Sequence, residues 1–169
     1  MGISYWLSDM VKKIEDLEIL RSAEEIADLL WREVSGWKHF EKDTIGKQMV
    51  RSADSIGANL AEAFGRFHYG ERIRHIYFSR GSLFETKYWI NRCRKRGLLD
   101  EELSGDLVDR LSNLAHKING FVKFLKAQRK ETASIRESSV DYAAAPEEEM
   151  TEEADVFSAS DLAQLTGNQ

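Results

Sequence analysis

Nine cations crowd into one stretch of the chain. Arg66, Arg72, Arg74, Arg80, Lys87, Arg92, Arg94, Lys95 and Arg96 are opposed only by Glu71 and Glu85, a local net charge of +7. Rows of cations are what phosphate recognition needs, and affinity built that way falls as salt rises. Arg80, Lys87 and Arg94 recur every seven residues, which on a helix makes one stripe. Tyr77, Phe78, Phe84 and Tyr88 are interleaved with the cations. Arginine beside exposed rings is a composition that stacks on unpaired bases. The same four rings also suit a subunit interface, because a helix with an apolar outer face ordinarily buries it. For the cations the plain alternative is solvated charge, or pairing with acids of a neighbouring subunit.

A second cluster is the polar row Ser55, Asn59, Glu62 and Arg66, spaced four, three and four so that all share one helical face. If Glu85 faced Glu62 from another helix, two inward carboxylates would bind a metal or shift each other's protonation. The pattern favours the other reading, a structural hydrogen-bonded network, satisfied by Arg80 or Ser82, that fixes helix register. Di-iron bundles need Glu-x-x-His on two helices. The residues three before His39, His68, His75 and His116 are Gly36, Gly65, Arg72 and Asn113, so that pattern fails. His68 and His75 are expected at the surface. Cys93 is expected to be buried as a small apolar residue. No glycine-rich phosphate loop or nucleophile elbow occurs. No catalytic residue, metal or cofactor is therefore assigned, and a non-enzymatic protein is expected.

The elements that must position these residues are helices. Leu103, Leu107, Leu111, Leu114, Ile118, Phe121 and Leu125 form one apolar seam at helical spacing, with Asp100 placed to cap it. Leu20, Ala23, Ile26, Ala27, Leu30 and Val34 predict a helix over 17–35 that stops at Ser35-Gly36. Met49, Ala53, Ile56, Leu60 and Ala63 predict another, capped by Asp43 or Thr44 and running to about Arg66. Its mid-helix Gly57 implies close approach or a bend. Ile76, Ser79, Leu83, Thr86, Ile90 and Cys93 predict a third over 71–96, closed by Gly97. The four aromatics lie away from that seam. Short connections at 36–42, 67–70 and 97–100 predict an all-α fold, an antiparallel up-down-up-down four-helix bundle.

The chain has 169 residues and a net charge of −5, which alone argues against a nucleic-acid partner. That average hides two segments. Residues 131–169 hold ten acids and one base, net −9, whereas 1–130 carry net +4. So few apolar residues cannot offset the entropy of ordering, and a disordered acidic C-terminal tail is expected over 131–169. The bundle is expected over 17–130, with 1–16 an N-terminal extension that either lengthens the first helix or docks separately. The tail either solubilises, lies across the basic face in competition with nucleic acid, or binds a protein partner through 155–165. One cysteine excludes an intramolecular disulfide framework. With a mean hydropathy of −0.47, no 18-residue apolar run and no signal peptide, a cytoplasmic protein without a membrane partner is expected.

Four stretches resemble the four-helix-bundle protein family of the bacterial 23S rRNA intervening sequences. Residues 14–19 (IEDLEI) resemble the family's opening, with Leu20 where a tryptophan usually stands. Residues 51–66 (RSADSIGANLAEAFGR) resemble its central signature, with Gly57 in place of proline and Ala63 in place of glycine. Gly81-Ser82-Leu83-Phe84-Glu85 resembles its third-helix motif, and Arg96-Gly97-Leu98-Leu99 followed by Leu103 its turn into the fourth. The resemblance spans about 14–128 and implies a bundle that assembles as a homo-oligomer, a ring of five. It also implies an association with nucleic acid and no catalytic activity. Three functions stay open: an RNA-binding bundle using the basic third helix, a protein-interaction scaffold, and a cryptic carboxylate metal site or enzyme.

Overall fold

The computed structural model describes residues 17–137, with side chains through 130. Four long helices account for nearly all of it, and among the described residues there is no strand. The expectations for 1–16 and for most of the acidic tail lie outside these residues.

Helix α1 (Glu18–Ser35) buries Ile19, Leu20, Ala23, Ile26, Ala27, Leu30 and Val34, the predicted stripe with Ile19 added. Its first turn is set off by Leu17, whose backbone is extended at φ −71° and ψ 115°. The second helix starts earlier than expected and in a different way. One α turn (His39–Glu41) runs into a π turn (Lys42–Gly46), which continues as α2 (Lys47–Gly65). Asp43 and Thr44 are therefore not caps. Thr44 Oγ1 donates back to the Phe40 carbonyl at 2.6 Å, and Asp43 pairs with Lys47 at 3.3 Å. The wider π turn admits one residue more than an α turn would. It also brings Gly46 against α1, where a Cβ would stand 2.7 Å from Val34 Cγ1. Glycine is required there by close approach. At Gly57 the nearest atom to a built Cβ is Leu20 Cδ1 at 3.6 Å, an ordinary contact.

Helix α3 (Tyr69–Lys95) ends at Gly97, whose φ of 69° suits a residue without a side chain. Asp100 Oδ1 then accepts the Leu103 N–H at 2.7 Å, capping α4 (Glu101–Glu137) as predicted. Helix α4 continues to Glu137, so the boundary expected after residue 130 falls inside it.

Contacts along the seams fix the directions. Going up α3, Ser79 meets Ile56, Thr86 meets Ser52 and Cys93 meets Met49, so α2 and α3 are antiparallel. Val34 faces Gly46 while Leu20 faces Gly57, so α1 and α2 are too. Arg94 pairs with Glu101 at 2.7 Å and Lys87 feels Asp109, which makes α3 and α4 antiparallel. Lys117 reaches Glu18 at 2.8 Å and closes α4 against α1. The core is the sum of the predicted seams, with Leu30, Met49, Ile56, Ile76, Ile90, Leu107 and Leu111 fully buried. Each such side chain contributes about 1.5–3 kcal/mol of transfer free energy.

The α2–α3 interface is the most extensive in the bundle. It carries a buried polar seam as well as an apolar one. Thr86 Oγ1 lies 3.0 Å from Ser52 Oγ and donates to the Ser82 carbonyl at 2.8 Å. Ser79 Oγ donates to the Ile56 carbonyl at 2.8 Å, and Ser52 Oγ to the Met49 carbonyl at 2.9 Å. Small hydroxyls let the two backbones approach and leave no buried hydroxyl unsatisfied.

Candidate nucleic-acid interface

The cations of the third-helix segment divide into three groups. Arg74, Lys95 and Arg96 are exposed, and Arg92 half-buried, on the outward side of α3. Arg66, Arg72, Arg80 and Arg94 are half-buried and engaged. Arg66 forms an ion pair with Glu62, Arg72 Nε donates to the Arg66 carbonyl at 2.5 Å, and Arg94 pairs with Glu101. Lys87 corrects the expectation of one phosphate-binding stripe. It is only 6% exposed, wedged toward α4. Desolvation pushes its ammonium below the ordinary lysine range, and the Asp109 charge partly restores it. A seven-residue repeat drifts about 20° per heptad on a straight helix. Arg80, Lys87 and Arg94 therefore do not share one surroundings.

Arginines and rings do meet on the outward side. The Arg74 guanidinium sits 5.6 Å from the Phe78 ring centre, and Arg80 sits 6.0 Å from Phe84. Arg72 lies 5.7 Å from the Tyr69 ring. Such pairs orient guanidinium planes over aromatic faces. Phe78 is 47% and Tyr88 54% exposed, so both present ring area to solvent. Phe84 is half-buried, whereas Tyr77 leans on the core and is lost to this surface. Gly81 stands among them with nothing within 4 Å of a built Cβ. The outward side of α3 is thus a shallow strip of two exposed rings with guanidinium groups beside them.

The antiparallel α3–α4 pairing adds cations that residue spacing alone does not join to this strip. Lys123, Lys126, Arg129 and Lys130 lie in α4 at the end of the bundle where α3 begins, the end that also carries Arg66, Arg72 and Arg74.

The polar row makes mostly local contacts within α2, with partners other than the expected Arg80 or Ser82. Glu62 holds Arg66 and lies 3.4 Å from His75 Nδ1. Asn59 Nδ2 donates to the Ser55 carbonyl at 2.8 Å, and Ser55 Oγ to that of Arg51 at 2.8 Å. Glu85 is exposed and accepts from Trp89 Nε1 at 3.2 Å. The two carboxylates are not brought together, because Glu85 points outward from α3. Among the described residues no group of three or more His, Cys, Asp or Glu could hold a metal ion. Cys93 is fully buried, and burial pushes its thiol up to about 11. It is an inert core residue. No helix among the described residues is long and apolar enough to cross a membrane.

A family model described as 23S rRNA-intervening sequence protein matches residues 15–120, more than half of the chain. A solved structure from Bacteroides thetaiotaomicron, a protein of unknown function from the S23 ribosomal protein family, is similar at 19% identity with a TM-score of 0.56. The similarity covers 62% of this chain and 98% of that one. At that identity it shows the fold alone. The comparison with curated proteins gives no match.

Proposed function

This chain belongs to the 23S rRNA-intervening sequence protein family, and we propose that it is a non-enzymatic, homo-oligomeric bundle that binds RNA through the outward side of α3. The observation that carries this reading is the juxtaposition of Arg74 with Phe78 and of Arg80 with Phe84, beside the half-exposed Tyr88. Arg92, Lys95 and Arg96 extend the strip at one end of α3. Arg66, Arg72 and the last cations of α4 extend it at the other. Rings stack on unpaired bases while the cations neutralise the phosphates between them. In a closed ring, five by family resemblance, every subunit repeats the strip and its interactions multiply. The protein works in the cytoplasm.

Titration of the full chain with ribosomal RNA fragments at several salt concentrations tests the reading. Affinity that falls linearly on a log–log plot against salt is expected. Absence of binding at low salt overturns it. The exposure of Phe78 and Tyr88 favours one second reading, a scaffold whose rings build the subunit interface. Phe78→Ala with Tyr88→Ala separates the two. RNA affinity lost with the oligomer intact supports RNA binding; dissociation in light scattering with no RNA bound supports the scaffold. The acidic residues 138–169 have the charge to compete for the same cations. A chain ending at Glu137 then binds RNA more tightly than the full chain, and equal affinities remove that competition.

A further inference from the structure

A cleft of about 660 Å³ lies between α1 and α2 at the end of the bundle where α1 gives way to α2. Clefts of this size between bundle helices suit small organic molecules. Val34, Gly46 and Val50, all buried or half-buried, give it an apolar floor. Trp31 lines one side and is 62% exposed. The helices are antiparallel and Val34 meets Gly46, so Trp31, one turn before Val34, stands across from the α2 turn Lys47–Arg51. The π turn Lys42–Gly46 contributes Lys42, Asp43 and Gly46 to the lining. Such turns are rare and recur at functional sites.

The charges around this floor are unequally engaged. Lys47 is neutralised by Asp43 at 3.3 Å. Lys42 Nζ donates to the Ser35 carbonyl at 2.6 Å, a contact that holds the ammonium and leaves its charge uncompensated. Among the described residues the Arg51 guanidinium has no hydrogen-bond or ion-pair partner. Asp54 lies three residues further along α2 and is likewise without an ion-pair partner among the described residues. Burial and the Asp28 charge raise its carboxyl, the mark of an acceptor short of donors.

Each of these groups selects a part of a ligand. An uncovered indole stacks on a planar ring. An unpaired guanidinium receives phosphate through two parallel N–H donors. A carboxylate repels phosphate and accepts from hydroxyls. We propose that the cleft binds a free nucleoside monophosphate, its base against Trp31, its phosphate on Arg51 in the field of Lys42, and its sugar hydroxyls toward Asp54. The site is built from α1, α2 and the turn between them, so the proposal stands apart from RNA binding on α3.

Calorimetric titration of the full chain with adenosine 5′-monophosphate, adenosine and inorganic phosphate tests it. Stacking does not choose among bases, so the adenine nucleotide serves as the probe. It is expected to bind once per chain, at least about tenfold more tightly than adenosine or phosphate alone. Arg51→Ala is expected to weaken the nucleotide about tenfold and to leave adenosine unchanged. Trp31→Ala is expected to weaken both about tenfold. Ala58→Trp, which fills the cleft from an exposed position on its lining, is expected to abolish binding. Phe78→Ala with Tyr88→Ala should leave nucleotide affinity as it is; a loss there overturns the proposal and assigns the nucleotide to the α3 strip. Absence of nucleotide binding overturns it, as does adenosine binding equally tightly. An affinity unmoved by Arg51→Ala and Trp31→Ala together overturns it too. Circular dichroism of each variant checks that the bundle is intact.

Discussion

On the inward side of α3, Lys87 is buried between Leu83 and Ile90 and answers to Asp109 across the interface. About two to four turns away on the outward side, Arg74, Lys95 and Arg96 reach solvent on the side that carries Phe78 and Tyr88. Both sides carry cations, and they are doing different jobs. Inside, desolvation disfavours the charge and the Asp109 carboxylate offsets that in part. Outside, the charge remains hydrated and available for exchange with phosphates. The number of cations in a helix therefore overstates how many can bind a polyanion. Azimuth, not count, decides it.

The contrast is sharpest for Leu83→Ala, which opens a cavity on the inward side. It is expected to cost about 2–5 kcal/mol in urea unfolding. The salt slope of RNA binding should stay unchanged while the protein is folded. Alanine at Arg74, Arg92, Lys95 and Arg96 together should do the opposite. Affinity for RNA is expected to fall at least about tenfold, with a slope shallower by roughly 0.7 for each phosphate no longer neutralised. The melting temperature should hardly move. A comparable loss from Lys87→Ala alone would erase the distinction between the two sides.

Smaller effects refine it. Phe78→Ala and Tyr88→Ala should each weaken binding to unpaired RNA by about 1–3 kcal/mol where a base stacks. Their effect on stability should be within about 0.5 kcal/mol. Lys87→Met is expected to be the mildest change. The Lys87 ammonium is depressed below its unfolded value of 10.5, so in the window between the two the unfolded chain holds more protons. Stability must therefore rise with pH across that window, and Lys87→Met should flatten the rise. A slope that persists in the variant would assign it to another group.

Much of the bundle was legible in residue spacing. The rows beginning at Leu20, Met49, Ile76 and Leu103 are the helix faces observed, and even Ser79 and Thr86 were placed on the buried seam by period alone. Their hydrogen bonds were not legible, because Ser52 and the Ile56 carbonyl are partners set by a neighbouring helix. The π turn at Lys42–Gly46 was missed because one extra residue leaves no period of its own. The need for glycine at position 46 is likewise imposed from α1, by Val34. For the candidate interface, the sequence identified the segment and misjudged its geometry. Lys87 turned inward, Tyr77 leaned on the core and Glu85 turned away from Glu62, all matters of rotation about a helix axis. The cations of α4 joined the strip only through chain reversal.

Helix α4 has 37 residues against 27 in α3. At 1.5 Å per residue they measure about 56 and 40 Å. The excess projects beyond the start of α3, carrying Lys130 with it. Residues 138–169, with eight acids and no base, are attached at that tip. In the proposed competition, contact between these acids and the basic strip of the same chain would be unimolecular, set by tether geometry and indifferent to dilution. RNA binding would be bimolecular and follow the free RNA concentration. The ratio of shielded to loaded protein would then be governed by RNA supply rather than by the protein's own abundance.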